Sequence, residues 1–207
     1  MKSYIHFIRH GITEGNIKGW YYGSSDLPLL PEGISQLKEL KSLGVYPPLG
    51  DGDCYTSGLI RTAQTLEAIY GKVPYKVIDS LREMNFGDWE RKSFEELKTE
   101  KEFDAWMSSV DGSFAYPGGG DSINSFYSRV NRGLNELLGY HRLKELSHRH
   151  NGKDSISVVV CHGGVIAAAM ERFFPGEKEN FFQWIPQPGH GYTLNIKEGE
   201  PYSHSSF

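Results

Sequence analysis

Short apolar runs alternate with amphipathic stretches along this chain of 207 residues. The runs predict strands at Tyr4–Ile8, Asp53–Thr56, Tyr75–Ile78, Ser155–Cys161 and Tyr192–Ile196. The fourth run is rich in β-branched residues, which is typical of a strand buried on both faces of a parallel sheet. The chain therefore supplies several strands for one central sheet.

Apolar residues at helical spacing lie between these runs, as in Glu32–Leu43, where Gly44 ends the pattern. Further helices are predicted from Ser57, as N-cap, to about Tyr70, in one or two pieces within Phe94–Met107, from Asp121 to about Ser147, and from Gly163 through Phe174. Alternating strands and helices predict an α/β fold, a three-layer α/β/α sandwich with a largely parallel central sheet.

Composition and charge narrow the classes of function. The net charge of -4 argues against nucleic acid as the main partner, because phosphate backbones favour a basic surface. No apolar stretch approaches the ~18 residues of a membrane span, and His6 and Arg9 interrupt the N-terminal run, so we expect neither membrane nor signal peptide. Cys54 and Cys161 fall in predicted buried strands, which favours free thiols and a cytoplasmic protein.

Cationic side chains follow three of the predicted strands. Arg9 and His10 end the first strand, Arg61 lies just after the second, and His162 follows Ser155–Cys161. In sheets of this kind, ligands bind beyond the carboxyl ends of the strands, so these four residues should converge. Neighbouring glycines and helix N-termini favour a tetrahedral anion at that edge.

Phosphoryl transfer is the chemistry that fits such a pocket, because its transition state needs fixed cationic donors. A neutral imidazole can attack phosphorus as a covalent nucleophile. The leaving alkoxide needs a proton, and Glu83, in the loop after Tyr75–Ile78, is the candidate general acid. Glu90 and Glu14 are the alternative carboxyl groups.

Further motifs accompany these residues in order along most of the chain: Arg9–Asn16, Tyr22-Gly23, Asp26–Leu29, Gly33 and Gln36, Ser57–Thr65, Phe86–Glu90, Pro117–Ser122 and Cys161–Gly164. Together they resemble the histidine phosphatase superfamily, which includes the cofactor-dependent phosphoglycerate mutases. One Arg-His-Gly triplet alone would be weak evidence, whereas all of these pieces in this order are strong evidence.

The resemblance implies a role for each residue of the candidate site. The phosphorylated nucleophile would be His10, the proton donor Glu83, and the groups that bind the phosphoryl oxygens Arg9, Arg61 and His162. Asn16 and the backbone around Tyr22 and Gly23 would bind the substrate, a small phosphorylated metabolite. No metal or other cofactor is implied.

The resemblance also implies one histidine-phosphatase-like domain over residues 1–207, in which about 90–121 covers the site and sets the choice of substrate. Three positions depart from the usual pattern: Leu30 replaces a common threonine, Arg91 a common glycine and Cys161 a common serine. None of these departures removes a catalytic group.

Four classes of function are weighed, and metal-independent hydrolysis of a phosphate monoester is favoured. A phosphoglycerate-type mutase is less favoured. The acid-bearing motif of the mutases resembles Glu-Arg-His-Tyr-Gly, with basic residues after the glutamate, whereas Met84 and Asn85 follow Glu83 here. Asp51–Tyr55 superficially resembles the loop of magnesium-dependent haloacid-dehalogenase-type phosphatases. It precedes its strand instead of ending it, which argues against this class. A non-catalytic phosphate-binding module would lack a nucleophile or a cationic residue, and none is missing.

A cysteine-phosphatase loop fits poorly, because Cys54 precedes Arg61 by seven positions, one more than Cys-x5-Arg allows. The possible substrates within such a family include sugar phosphates, phosphoserine, nucleotide-derived phosphates and the phosphorylated ribazole precursor of cobalamin. The aromatic residues of 90–121 favour a partly apolar leaving group.

Several other side chains are interpreted as structural. We expect Phe103 and Trp106 in the core of the covering region, and Trp20, Tyr21 and Tyr22 either in packing or at the mouth of the site. His141, His148 and His150 are expected to be solvated at a polar helix end.

Overall fold

The computed structural model describes residues 2–108 and 112–207. Its strands are β1 (Ser3–Arg9), β2 (Trp20–Tyr21), β3 (Asp53–Thr56), β4 (Tyr75–Val77), β5 (Lys92–Ser93), β6 (Ser155–Cys161), β7 (Gly191–Lys197) and β8 (Glu200–Ser206). Its helices are α1 (Glu14–Lys18), α2 (Pro31–Ser42), α3 (Ile60–Tyr70), α4 (Phe94–Leu97), α5 (Lys101–Met107), α6 (Ile123–His148) and α7 (Gly163–Phe173). Short 3-10 turns occur at Asp79–Leu81, Gly87–Trp89 and Phe181–Trp184.

A six-stranded sheet in the order β4-β3-β6-β1-β7-β8 forms the centre of the fold. The first four strands in this order run parallel, and β7 and β8 extend the sheet in the antiparallel sense. Arg9 is in register with Cys161, so His10 and His162 leave adjacent strands side by side. The predicted α/β fold with a largely parallel sheet is confirmed.

Helices cover both faces of the sheet. Phe7 of β1 packs on one face with Leu134 of α6 and with residues of α7. Its neighbour Ile8 packs on the other face with Leu37 of α2 and Leu66 of α3. Successive residues of a strand point to opposite faces, which is why adjacent positions of β1 serve two cores. The three-layer α/β/α sandwich is therefore confirmed.

A third, aromatic cluster lies apart from the two cores of the sheet. Its buried members are Trp89, Leu97, Phe103 and Tyr116, and Trp106 packs against them half-buried. Much of this aromatic cluster comes from the segment that the sequence singles out as a cover. Phe103 lies in its core as expected, whereas Trp106 also lines the cavity described below.

Some local predictions were wrong, for reasons visible in the packing. α3 begins at Ile60, with Leu59 as its N-cap residue, so Ser57 does not cap it. β8 is mostly polar, and only its pairing with β7 makes it a strand. His141 is buried instead of solvated, because it lies between the hydroxyls of Ser3 and Ser157.

Within residues 2–108 and 112–207, the structure contains no helix with the length and apolar character that a bilayer crossing requires.

Candidate active site

The predicted catalytic residues converge at the carboxyl edge of the parallel strands. A cavity of about 650 Å³ opens there, and Arg9, His10, Asn16, Tyr22 and Glu83 are among its lining residues. Arg61 and His162 are wholly buried and lie one layer deeper, with the His162 ring centroid 5.3 Å from that of His10. Among the predicted site residues, Gly23 is the one that contributes only backbone groups.

His10 follows β1 and is held by its own backbone neighbour. Its Nδ1 lies 2.8 Å from the carbonyl oxygen of Gly11, which can only accept, so Nδ1 carries the proton. Nε2 is then the unprotonated nitrogen of the ring. Burial, followed by the positive charge of Arg61, lowers the pKa of His10 well below its usual range. The imidazole is therefore neutral, as a nucleophile must be.

His162 lies at the end of β6, and its Nε2 is 2.8 Å from the hydroxyl of Ser57. The backbone N–H of Leu59 points weakly at this hydroxyl oxygen, at 3.5 Å. We assign the Ser57 hydroxyl as donor to Nε2, which places the His162 proton on Nδ1. That Nδ1 is buried and has no partner among the residues that the structure describes. Sequence reasoning missed Ser57, which it assigned to a helix cap.

Unpartnered donors are concentrated at this site. Across residues 2–108 and 112–207, seven buried side-chain nitrogen or oxygen atoms lack a hydrogen-bond partner. Three of them belong to predicted phosphate-binding residues: Nε of Arg9, Nε of Arg61 and Nδ1 of His162. Buried polar groups are normally paired, so this concentration indicates a site for an anion. An entering anion breaks no protein hydrogen bond when it engages these three groups.

Glu83 reaches the cavity from the loop after β4. Its Oε2 accepts the backbone N–H of Gly164 at 2.9 Å, and its Oε1 accepts that of Met84 at 3.0 Å. A Cβ atom at residue 164 would lie 2.5 Å from Oε1. Glycine at this position therefore lets the N-terminus of α7 approach the carboxyl group closely.

Arg61 is held by the loop that the sequence assigned to substrate binding. Its Nη2 donates to the carbonyl of Gly23 at 2.9 Å, and its Nη1 donates to that of Ser25 at 2.8 Å. Gly23 packs so closely on the acid-bearing loop that a Cβ would lie 1.6 Å from the Met84 carbonyl oxygen. Gly23 therefore positions Arg61 through its backbone.

Glu90, the alternative acid, holds the same loop. Its carboxylate accepts the backbone N–H groups of Gly23, Ser24, Ser25 and Phe86 at 2.8 to 3.1 Å. Burial alone would raise the pKa of Glu90, but these hydrogen bonds keep it below the usual range. Both carboxylate oxygens are thus engaged in loop structure.

Asn16 and Tyr22 form one small network beside His10. Oδ1 of Asn16 accepts from the backbone and hydroxyl of Thr13 and from the Tyr22 hydroxyl, at 2.9 to 3.0 Å. The Tyr22 ring lies 5.1 Å from Cζ of Arg61 and 6.3 Å from the His10 ring. The amide nitrogen of Asn16 is then the part that remains for a ligand.

Comparison with known proteins agrees with this geometry. The model of the Histidine phosphatase superfamily (branch 1) matches residues 5–206. The chain belongs to the histidine phosphatase superfamily.

Its relatives include named phosphatases. The chain is 33% identical over 197 residues to an adenosylcobalamin/alpha-ribazole phosphatase of Escherichia coli K12, covering 92% of this chain and 89% of the relative. The crystal structure of a candidate alpha-ribazole-5'-P phosphatase from E. coli K-12 matches with a TM-score of 0.79 and 26% identity, over 100% of this chain and 95% of that one. The alpha-ribazole phosphatase from Shigella flexneri matches with a TM-score of 0.74 and 27% identity, over 97% and 93%. This histidine phosphatase is accordingly a phosphoric monoester hydrolase.

The competing chemistries fit this histidine phosphatase poorly. Burial raises the pKa of the Cys54 thiol to about 11 and also raises that of Cys161, so neither is a ready thiolate. Asp53 is the first residue of β3 and lies at the amino ends of the parallel strands, whereas His10 lies at their carboxyl ends. Asp53 pairs with Lys144, and Asp51 pairs with Lys153. The two aspartates are therefore remote from the cationic pocket.

The mutase alternative is not favoured at the acid-bearing loop of this histidine phosphatase. Met84 lines the cavity as an apolar side chain. Asn85 donates through Nδ2 to the carbonyl of Gly119 at 3.3 Å. The loop therefore lacks, at these two positions, the basic residues that the mutase motif carries.

The departure at Arg91 has a backbone consequence. Arg91 has φ of 63°, in the left-handed region that glycine adopts at least cost. This explains why a glycine suits the position that follows the Trp89-Glu90 pair.

Proposed function

We propose that this histidine phosphatase hydrolyses a small phosphorylated metabolite through a phosphohistidine on His10. The observation that carries the proposal is the group of three buried donors without partners beside the neutral His10 ring. Arg9, Arg61 and His162 would bind the nonbridging phosphoryl oxygens through these donors. Two guanidinium charges offset the negative charge of the transition state, so the proposal requires no metal.

In the first step, the lone pair on Nε2 of His10 attacks phosphorus while the bond from phosphorus to the ester oxygen breaks. The carboxylic acid form of Glu83 gives its proton to that oxygen, which leaves as an alcohol. The products are phosphohistidine, the free alcohol and the Glu83 carboxylate.

In the second step, a water molecule attacks phosphorus and the phosphorus–nitrogen bond breaks. Glu83, now a carboxylate, takes a proton from that water, and inorganic phosphate leaves. The step restores the neutral His10 ring and the acid form of Glu83. Asn16 and Tyr22, which line the cavity, would orient the substrate in both steps.

The lining of the cavity supports a substrate with a flat aromatic part. Its walls include Trp20, Tyr21, Phe86, Trp106 and Tyr116. Aromatic walls stack well on an aromatic base. Since relatives carry the name alpha-ribazole phosphatase, we propose alpha-ribazole 5'-phosphate, or a monoester that resembles it, as the substrate.

Residues 1–207 would form one domain, and about 90–121 would act as its covering segment, which the aromatic cluster supports. Two buried free cysteines support a cytoplasmic location.

The test compares alpha-ribazole 5'-phosphate, glycerol phosphate and 3-phosphoglycerate as substrates of the purified chain. We expect release of inorganic phosphate, fastest from the first, and acid-labile, base-stable phosphate on His10 after rapid quenching. Full activity in His10→Ala would overturn the mechanism. Isomerisation of 3-phosphoglycerate without release of phosphate would favour the mutase.

A further inference from the structure

We infer that Arg129 and Asp121 are positioning residues that hold the acid-bearing segment 82–85 and thereby aim Glu83 at the leaving group. This inference rests on the proposed function, in which Glu83 is the general acid. Neither residue lines the cavity, so each acts through the backbone of that segment.

Arg129 lies in the second turn of α6 and spreads its guanidinium over the carbonyl oxygens of the segment. Nη1 donates to the carbonyl of Arg82 at 2.6 Å and, more weakly, to that of Ser80 at 3.3 Å. Nη2 donates to the carbonyl of Glu83 itself at 3.1 Å. A planar fork with several donors is what allows one side chain to fix consecutive carbonyl groups.

Asp121 holds both the guanidinium and the far end of the segment. Its Oδ2 accepts from Nη2 of Arg129 at 2.7 Å and from the backbone N–H of Asn85 at 3.0 Å. Its own N–H donates to the Asn85 carbonyl at 2.8 Å. The pair is only 20% and 17% exposed, so it is screened less than a surface ion pair.

The segment 82–85 is held from two sides, by α6 and by α7. Residues 82, 83 and 85 are held by their backbone groups from the α6 side, while the Glu83 carboxyl is held by Gly164 from the α7 side. Glu83 is therefore held from two sides, through its backbone and through its carboxyl group. Proton transfer depends steeply on such geometry, and a displacement of about 1 Å can cost up to about 100-fold in rate.

The test is the single-turnover rate of phosphohistidine formation with an alkyl phosphate and with 4-nitrophenyl phosphate. In Arg129→Met we expect the alkyl rate to fall about 10- to 100-fold and the aryl rate to fall far less, because nitrophenolate leaves without a proton. Arg129→Lys, which keeps the charge but loses the fork, should show a smaller loss of the same kind. If Arg129→Met does not fold, Arg129→Lys and Asp121→Asn carry the test.

The matched control is Arg132→Met, one turn further along α6, where the arginine is exposed. It should leave both rates unchanged. In the double variant Glu83→Gln/Arg129→Met, the alkyl rate should be no lower than in Glu83→Gln alone, because both changes remove the same proton transfer. A purely structural role predicts equal loss with both substrates and a further loss in the double variant, and either result overturns the inference.

These outcomes separate this inference from the proposal on which it rests. If Glu83→Gln itself slows both substrates equally, the acid assignment is wrong and the positioning role falls with it. If Glu83→Gln shows the contrast and the Arg129 variants do not, only the positioning role is wrong.

Discussion

The hydroxyl of Ser57 lies 2.8 Å from Nε2 of His162, between the ends of two adjacent parallel strands. Both residues are completely buried. With the Ser57 hydroxyl assigned as the donor, Nδ1 of His162 carries the proton, and that nitrogen has no partner in the described residues. Ser57 thus fixes the nitrogen through which His162, in the proposed function, would donate a hydrogen bond to phosphate.

Ser57→Ala should therefore weaken binding of inorganic phosphate as a competitive inhibitor. Without the hydroxyl, the proton of His162 is no longer confined to Nδ1, so the hydrogen bond to the anion weakens. Full loss of a hydrogen bond to a charged group would be worth about 10- to 150-fold in affinity. The inhibition constant measures this directly. Ser35→Ala, on the exposed face of α2, should have no effect. Unchanged phosphate inhibition in Ser57→Ala would show that the contact does not matter for the anion.

Gly164→Ala should damage catalysis and leave the fold intact. The new Cβ would lie 2.5 Å from Oε1 of Glu83, a flexible side-chain end that can move aside. Alanine also favours a helix by about 0.5–1 kcal/mol over glycine. We expect a loss of kcat with alkyl phosphates at an unchanged or higher Tm. Gly139→Ala in α6, where nothing lies within 4 Å of the new Cβ, is the control and should change neither activity nor fold. A lower Tm in Gly164→Ala would point to a packing effect instead.

The convergence of the candidate site residues was largely predictable because it follows from chain topology. Arg9, His10 and His162 come directly after strands, and parallel strands bring their carboxyl ends to one edge. The Pro117–Ser122 motif also marked Asp121, although nothing in it indicated that Asp121 would hold Asn85 and Arg129.

What the sequence could not supply is the partner of each polar group. Ser57 looked like a helix cap, since serine before a helix usually is one, yet its hydroxyl faces His162. Arg129 carries no local signal for its role, because three of its partners are backbone carbonyl groups 46 to 49 positions away. His141 looked solvated from its polar neighbours, but the helix packs that face on the ends of β1 and β6.

Burial of His141 predicts a pH dependence of stability. Burial lowers its pKa from 6.5 to about 4, despite the nearby carboxylates of Glu145 and Asp53. The unfolded chain therefore binds this proton at a higher pH than the folded chain does. The free energy of unfolding should be undiminished above pH 6.5 and should fall as the pH drops towards 4, by up to about 3 kcal/mol from this residue.

Denaturant unfolding of wild type and His141→Gln at pH 7 and pH 4.5 measures this contribution. The variant should lose less stability between the two values than wild type does. The pKa of His6 is also lowered to about 4, first by burial and then by the charge of His141. His141→Gln removes that second cause, so His6 changes the comparison in the same direction as the loss of His141 itself. Identical pH slopes for the two proteins would contradict the prediction. His150→Gln, at an exposed position, is the control.

Activity should survive treatment with a chelator. The site supplies its positive charge from Arg9 and Arg61, so turnover with 4-nitrophenyl phosphate should be the same before and after EDTA and dialysis. Added magnesium should not raise it. Loss of activity that magnesium restores would instead favour chemistry at Asp51 and Asp53, and Asp53→Asn would then be the deciding variant.

The final prediction concerns Glu83, the proposed general acid, whose proton would matter most when the leaving group is poor. Glu83→Gln keeps the size of the side chain and its ability to accept the Gly164 N–H, but it cannot donate an acidic proton. The burst of phosphohistidine from an alkyl phosphate should therefore slow about 100-fold or more, while the burst from 4-nitrophenyl phosphate should slow much less. Glu14→Gln is the control, because Glu14 is half-exposed and pairs with Lys18. Glu90→Gln loosens the loop that holds Arg61, so it should slow both substrates to a similar degree. Equal slowing of both bursts in Glu83→Gln, or a leaving-group contrast in Glu90→Gln, would reassign the acid.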